Sequence, residues 1–467
     1  MIKPGYILAP LLILMIISCR KESFITGSDA VISISADTLH FDTLFTTAGS
    51  VTQALRLYNN NNRKLLISAI SVGGGAGSYF RINADGFAGP EVKDLEMAAN
   101  DSLYVFVTVN VDPGSAKLPY LIQDSIKILF NGNEKFVQLD AWGQNATFLR
   151  SGSISANTTW TNDKPYVILG GLQVNENVVL TIQKGTKIFL HADAPLLVDG
   201  TLNALGEKKD SMQIVFSGDR LDDPYRNYPG AWPGIYFRAK SRDNILKHVI
   251  IKNAYQGIVV QGLTVNSNPR LYLDKCIIDN CYDAGLIGVQ TDIKAENCLI
   301  TNCGKNIQLI SGGNYELTQC TVAAYSNVMI AHKDPVLTVA NFILQGNVLT
   351  VGDLNASFKN CIFWGGNGIV DNEVVVAQDG SGMFNVDFKN CLWKVANAPG
   401  AITSSGIISN QDPGFVNTDT RNGIYDFHLD KNSPALGAGI HVGVGTDLDE
   451  NKRDLNFPDL GAFEATF

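Results

Sequence analysis

The chain of 467 residues is too long for one ordinary domain and sets an expectation of about two or three units. Hydrophobic residues make up 45% and charged ones only 17%, with 44 glycines, which argues against a disordered or charge-rich helical chain and suits a packed, turn-rich β protein. A net charge of −9 without any basic run argues against a nucleic-acid partner, because phosphate binding depends on clustered Lys and Arg.

Residues 1–18 read as a targeting segment. Lys3 supplies a positive charge, Ile7 to Ile17 is an apolar run too short to span a bilayer stably, and Ser18 precedes Cys19. The sequence I-I-S-C resembles the lipobox of bacterial lipoproteins. That resemblance implies lipidation of Cys19 and a protein tethered to a membrane by acyl chains rather than crossing it. The implied location is the cell envelope, as an outer-membrane lipoprotein facing either the periplasm or the exterior. An ordinary secretory signal with an incidental Cys is the alternative. Residues 19–30 read as a tether.

Over residues 31–147 the pattern is antiparallel β. Ser102 to Val111 alternates cleanly, with Leu103, Val105, Val107, Val109 and Val111 on one face. Asn59 to Asn62 and Asn131-Gly132 each separate two apolar runs and read as hairpin turns. Several short strands with turn signals predict an immunoglobulin-like β-sandwich, although the Cys…Trp…Cys core of antibody domains is absent. A spacer or docking module is the reading for this unit.

From residue 148 to 410 short apolar strands alternate with Gly and Asn turns. Cys276, Cys298 and Cys320 recur at a spacing of 22 residues, as do Cys281 and Cys303. The triplet Asn-Cys-apolar returns at Asn360-Cys361-Ile362 and Asn390-Cys391-Leu392. Periods of about 20–50 residues mean a solenoid, and strand-sized pieces select a single-stranded parallel β-helix. Leu271 and Leu273 correspond to Ile293 and Ala295, then to Tyr315 and Leu317. The inward parity shifts by one after Asp274-Lys275, as a corner between two strands requires. Asn280 and Asn302, with Asn253 before them, fall at the next corner, where stacked Asn side chains can bond one another and the turn backbone.

The C-x4-C-x16-C-x4-C spacing lies near that of zinc ribbons, yet zinc needs four thiolates converging on one point. The period instead stacks Cys276, Cys298 and Cys320 in one column and Cys281 and Cys303 in another, with coils about 4.8 Å apart. Stacked Cβ vectors run parallel, which disfavours disulfides, so the expectation is buried free thiols filling ladder positions.

Residues 150–410 look like bacterial right-handed parallel β-helix proteins, the pectate-lyase-like solenoids that include many polysaccharide lyases and adhesins. The segments DPGF (Asp412 to Phe415), DFHLDKNSPALGAG (Asp426 to Gly439), TDLDENKRD (Thr446 to Asp454) and PDLGAFE (Pro458 to Glu464) are similar to the tail called the choice-of-anchor Q domain. The combined layout resembles lipoproteins of the Bacteroidota. The expected fold is all-β: an immunoglobulin-like sandwich, a right-handed parallel β-helix, and a tail over 411–467 that caps the last coil.

Candidate chemistry is sparse. Asp274 and Glu296 stack at one corner as the nearest approach to a catalytic carboxylate pair, which in glycosidases lies about 5–9 Å apart. Lys275 beside them supports a turn role instead. Asp447, Asp449 and Asn451 have the D-x-D-x-N spacing of calcium loops but lack the EF-hand glycine and terminal glutamate. The competing reading has these tail charges capping the last coil, with Arg453 pairing Glu464 or Asp459. No cofactor is expected, with calcium as the one alternative. An insertion from Ser217 to Trp232 combines Asp219, Arg220, Asp222, Asp223 and Arg226 with Tyr225, Tyr228 and Trp232. Aromatic faces beside carboxylates and guanidinium groups suit sugar recognition. Alternatively the aromatics pin the loop to the coil, Trp232 above all. The expected role is a non-catalytic envelope scaffold binding a polysaccharide or another cell-surface partner. A polysaccharide lyase and a purely structural spacer or adhesin are the alternatives.

Overall fold

Alternating apolar residues build two sheets in the first part of the chain. The computed structural model describes residues 23–45, 52–110 and 120–466, so the segment 1–18, Cys19 and Val111 lie outside the described residues. The chain divides into two compact units, Met1–Asn145 and Ala146–Phe467.

In the first unit Leu103, Val105, Val107 and Val109 are buried on strand Ser102–Val109, which lies between Gln53–Asn59 and Phe80–Ala84 in a five-stranded antiparallel sheet. The second five-stranded sheet runs Thr38–Phe45, Asn133–Gln144, Tyr120–Phe130, Leu65–Val72, Glu91–Met97, with its first pair parallel. Both sheets contribute to one apolar cluster. Asn131 and Gly132 both have positive φ (44° and 75°) and close a two-residue hairpin between Phe130 and Asn133. Asn59 to Asn62 is not a hairpin: the strands it joins lie in different sheets. The buried Asn59 amide holds this crossing by donating to the carbonyls of Arg63 and Ala98 at 2.9 and 2.8 Å.

The second unit is a 26-stranded parallel sheet wound on itself, each strand pairing with one a turn later, which is the pairing of a parallel β-helix. Leu271 pairs with Ile293 and Ile293 with Tyr315, all buried, so like positions stack along the core. Each complete coil has three faces, as in Leu271–Asp274, Ile277–Asp279 and the first part of Ala284–Glu296. The corner between the first two faces is turned by one left-handed residue per coil: His248, Lys275, Asn297, Gln319, Asn360 and Asn390, with φ between 46° and 55°. After every one of these except His248, which Val249 follows, comes a cysteine whose thiol donates to the carbonyl just before the corner residue. The Sγ of Cys298, Cys320, Cys361 and Cys391 lie 3.2, 3.4, 3.3 and 3.4 Å from the carbonyls of Glu296, Thr318, Lys359 and Lys389. A small apolar side chain with a weak donor therefore serves both the core and the corner.

The tail does more than the expected capping of the last coil. It runs back along the second face and is gripped by the left-handed corner residues. Asn390 Nδ2 donates to Ala438 O (2.8 Å), and Asn360 exchanges two hydrogen bonds with Ile440 (2.7 and 3.0 Å). Gln319, with its amide nitrogen assigned to the side that faces two carbonyls, donates to those of Asp459 and Gly461 (3.0 and 3.1 Å), and Asn297 accepts from Arg453. Lys275 and His248 both hold Glu450, at 2.6 and 2.7 Å. The cause is apolar: Leu299, Ile362, Trp364 and Leu392 point outward on this face and are covered by Phe427, Leu429, Leu448, Leu460 and Phe463. Within the tail, Arg453 pairs with Glu464 at 3.1 Å.

Candidate functional site

The corner between the second and third faces is also left-handed, at Asn253, Asn280 and Asn302 (φ 62°, 54° and 51°). Asn tolerates this conformation because its short amide can bond locally. Asn280 Nδ2 donates to Asn253 Oδ1 at 2.8 Å and to Asn227 O at 2.9 Å, while Asn253 Nδ2 donates to Arg226 O at 2.8 Å. The column thus fastens the short 3-10 turn Tyr225–Asn227 of the inserted loop onto the solenoid.

Within that loop the charges answer one another. Arg220 binds Asp222 at 2.7 Å and lies 4.1 Å over the Tyr225 ring; their mutual hydrogen bond moves Arg220 above and Asp222 below its ordinary pKa. Arg226 binds Asp223 at 2.7 Å, Asp219 binds His191 at 2.7 Å, and Tyr225 meets Tyr228 edge-on at 5.2 Å. Trp232 is fully buried and donates Nε1–H to Lys252 O at 2.9 Å, which makes it a pin.

Beside this loop lies a groove of about 530 Å³. Its walls are Asp223 and Tyr228 from the loop, the Asn column, Val328-Met329, and the tail hairpin that joins Phe415–Asp419 to Ile424–Leu429 and carries Arg421 and Tyr425. Asp279 and Lys252 also line it. Burial pushes the Asp279 carboxyl above its ordinary pKa, opposed by hydrogen bonds from Thr301 (2.9 Å) and Asn302. The Tyr425 hydroxyl is buried without a hydrogen-bond partner among the described residues. Cations, a carboxyl, amides and tyrosines around one opening can bind a hydroxyl-rich ligand through paired hydrogen bonds and ring contacts.

Of the eight loop candidates, Asp223 and Tyr228 line the groove. Lys252, Asp279, Arg421 and Tyr425 escaped sequence reasoning; Lys252 and Asp279 had a signal, the equivalent place beside a ladder Asn. Asp274 and Glu296 are neighbours in register but are separately engaged. Asp274 pairs with Lys247 at 3.3 Å, while Glu296 pairs with Lys294 at 3.0 Å and accepts from Tyr272. Burial, then Glu296, drives the Tyr272 pKa far up, and the contacts of this corner run within and between coils. Asn451 Nδ2 donates to the Asp447 carboxylate at 3.3 Å, while the Asp449 carboxylate turns to other partners. The Asp447 carboxylate accepts backbone N–H groups from Asp449 (2.9 Å), Asn451 (2.7 Å) and Glu464 (2.8 Å), whereas Asp449 faces Lys208 (2.6 Å) and His428 (2.9 Å). The D-x-D-x-N spacing places the Asp447 carboxylate over the backbone N–H groups of a turn. All seven described cysteines, Cys276, Cys281, Cys298, Cys303, Cys320, Cys361 and Cys391, are free and buried.

No protein-family model matches the chain, and no curated protein matches it. Solved structures resemble it only weakly. A family 123 glycoside hydrolase from Clostridium perfringens is 8% identical with a TM-score of 0.20, over 26% of this chain and 30% of that one. The VesB protease of Vibrio cholerae is 11% identical with a TM-score of 0.18, over 25% and 32%. The E. coli chaperone DraB is 8% identical with a TM-score of 0.17, over 25% and 55%. The chain therefore spans about a third to a half of the length of these structures.

Proposed function

We propose that this chain is an exported lipoprotein, anchored in the outer membrane through Cys19, whose solenoid is a non-catalytic scaffold that binds a glycan of the envelope or of a neighbouring surface. The observation that carries the reading is the groove at the Asn253–Asn280–Asn302 corner, where Asp279, Lys252, Arg421 and Tyr425 surround one opening. In this reading the solenoid is the right-handed, pectate-lyase-like kind, the hand that parallel crossovers almost always take. The first unit is an immunoglobulin-like spacer, in keeping with two sheets around one core. The tail is of the choice-of-anchor Q kind.

The test is a glycan array followed by titration of each hit against Asp279→Asn and Tyr425→Phe. Weaker binding by both variants supports the groove; array hits whose affinity ignores both substitutions sink it. A carbohydrate-active enzyme is the second reading, favoured by the raised pKa of Asp279, a property that glycan-cleaving acids share. Ultraviolet-absorbing unsaturated product, or released reducing ends, would move the assignment there. An array without hits leaves the spacer or adhesin.

A further inference from the structure

Two residues beyond the Asn corner, successive coils carry Tyr255 and Tyr282. Tyr282 N donates to Ala254 O (2.9 Å) and Asp283 N to Tyr255 O (2.8 Å), so the two tyrosines hold equivalent places. Their rings stack at 5.9 Å between centroids with 27° between planes. In the next coil Gly304 N donates to Cys281 O (3.0 Å), which puts glycine where the third ring of the column would stand. A Cβ at Gly304 would lie 2.4 Å from Tyr282 O and 2.6 Å from Asp283 O, so only glycine fits the backbone at this position, and open space remains beside the Tyr282 ring. The column of rings ends one short. Tyr255 and Tyr282 are 47% and 53% exposed, large values for rings that belong to a packed coil.

The opening is a concavity of about 530 Å³, within the span of about 300–1,000 Å³ typical of small-ligand sites. Asp283 and Lys305, paired at 3.3 Å, stand on one side, and the segment from Met329 to Asp334 forms the other. Lys333 and Asp334 add one charge of each sign there. A rim of balanced charge gives no preference to an anion or a cation. It does offer a carboxylate acceptor next to an ammonium donor, the pairing that neighbouring hydroxyls need. The tyrosine face beside it suits the C–H face of a sugar ring, apolar on one side and wet at its edges.

We propose that this place is a carbohydrate subsite, in which one pyranose ring takes the position of the missing third aromatic, with its C–H face on Tyr282 above Gly304 and its hydroxyls on Asp283 and Lys305. The inference rests on the glycan-binding reading above and extends it. Met329 lines both this opening and the groove, so a single oligosaccharide can occupy the two. The balanced rim specifies a neutral sugar for this position.

The probes are neutral hexasaccharides of glucose, mannose and xylose, titrated calorimetrically against the full-length chain and its Tyr282→Ala, Tyr282→Phe and Asp279→Asn variants. Tyr282 is half exposed, so its removal leaves the coil intact, which circular dichroism and the thermal midpoint verify. Tyr282→Ala is expected to weaken binding about tenfold, the equivalent of one lost ring contact, while Tyr282→Phe stays near wild type. Saturation transfer should mark the ring C–H protons of one sugar unit and vanish in Tyr282→Ala. Unchanged affinity in Tyr282→Ala with loss in Asp279→Asn overturns the subsite and keeps the groove. Loss in Tyr282→Ala with none in Asp279→Asn keeps the subsite and overturns the groove. Binding of none of the hexasaccharides to the wild-type chain overturns the neutral-sugar subsite, and the charged members of the array then decide the groove by themselves.

Discussion

Arg453, in the tail, donates Nε–H (3.2 Å) and Nη2–H (2.8 Å) to Oδ1 of Asn297, the left-handed corner residue of a coil 156 positions earlier. The same guanidinium reaches Glu464 Oε2 at 3.1 Å and Gly461 O at 2.9 Å, and its side chain is only 1% exposed. Its planar fork spreads five N–H donors over three nitrogens and so reaches partners on separate sides, whereas an ammonium offers three donors from one point. Removing one partner of a buried ion pair is strongly destabilising because the other is left uncompensated. Arg453→Ala should therefore cost about 3–5 kcal/mol, and Arg453→Lys should recover only part of it. Urea unfolding checks this, and variants within measurement error of wild type would remove the role assigned to Arg453.

Tail docking should depend on pH from both sides. Burial works against the Glu450 carboxylate, but hydrogen bonds from Lys275 and His248 prevail and hold its pKa down at about 2, against an ordinary 4.5. The hydrogen bond to His428 likewise holds Asp449 at about 2. His428 itself, bonded to Asp449 and then Asp426, is pushed up to about 9 from 6.5. Depressed carboxyls stabilise fully above their unfolded values and lose this as pH falls towards 2; a raised imidazole stabilises below 6.5 and loses this as pH climbs past 9. Burial holds His248, the other partner of Glu450, below its ordinary 6.5, so its contribution is lost as pH falls under 6.5 and thermal midpoints should peak at about pH 6.5. His428→Asn should flatten the alkaline limb and, because Asp449 loses the hydrogen bond that depresses its carboxyl, soften the acid limb as well. An NMR titration placing His428 at its ordinary value would contradict this.

Asn280 separates backbone strain from side-chain bonding at the second corner. Asn280→Gly keeps the left-handed φ of 54° without strain but loses the bonds to Asn227 and Asn253. Asn280→Ala loses the same bonds and adds the strain of a Cβ, about 1–2 kcal/mol. Alanine should accordingly be the less stable of the two by that margin. Both variants should speed proteolysis within residues 217–232, because the column fastens that loop. Equal stability of the two variants would mean that the corner relaxes.

The solenoid was legible because stacking repeats the same demand in each coil: Leu271, Ile293 and Tyr315 must all be inward and apolar, and cysteine recurs wherever a corner carbonyl needs a small donor. The lateral course of the tail was not, since its anchors share a conformation and not a residue type. His248, Lys275, Asn297 and Gln319 have only positive φ in common. One signal was present. Leu299-Ile300, Ile362-Phe363-Trp364 and Leu392-Trp393 are apolar at consecutive positions, where a strand with one wet face alternates. Doubling of that kind marks a face buried on both sides, and it identifies the surface that the tail covers. The groove left no such trace, because Tyr228, Asp279 and Tyr425 come from three elements that meet only in the folded chain.

The thiol ladder yields the last prediction. Burial raises the Cys298, Cys303 and Cys361 thiols well above their ordinary pKa, and all seven described cysteines are buried. Alkylation requires an exposed thiolate. The native chain should therefore resist iodoacetamide at these seven positions and react at all of them in denaturant without reductant. Cys298→Ala removes both the packing of Sγ between its neighbours and its bond to the Glu296 carbonyl (3.2 Å), at about 1–3 kcal/mol. Cys298→Ser restores a donor to that carbonyl while placing a hydroxyl between Cys276 and Cys320. Serine above alanine in stability would mean that the corner bond dominates; serine below it would mean that the apolar column does. The unbroken run of buried sulfur from Cys276 to Cys391 favours the column, so serine should be the less stable substitution.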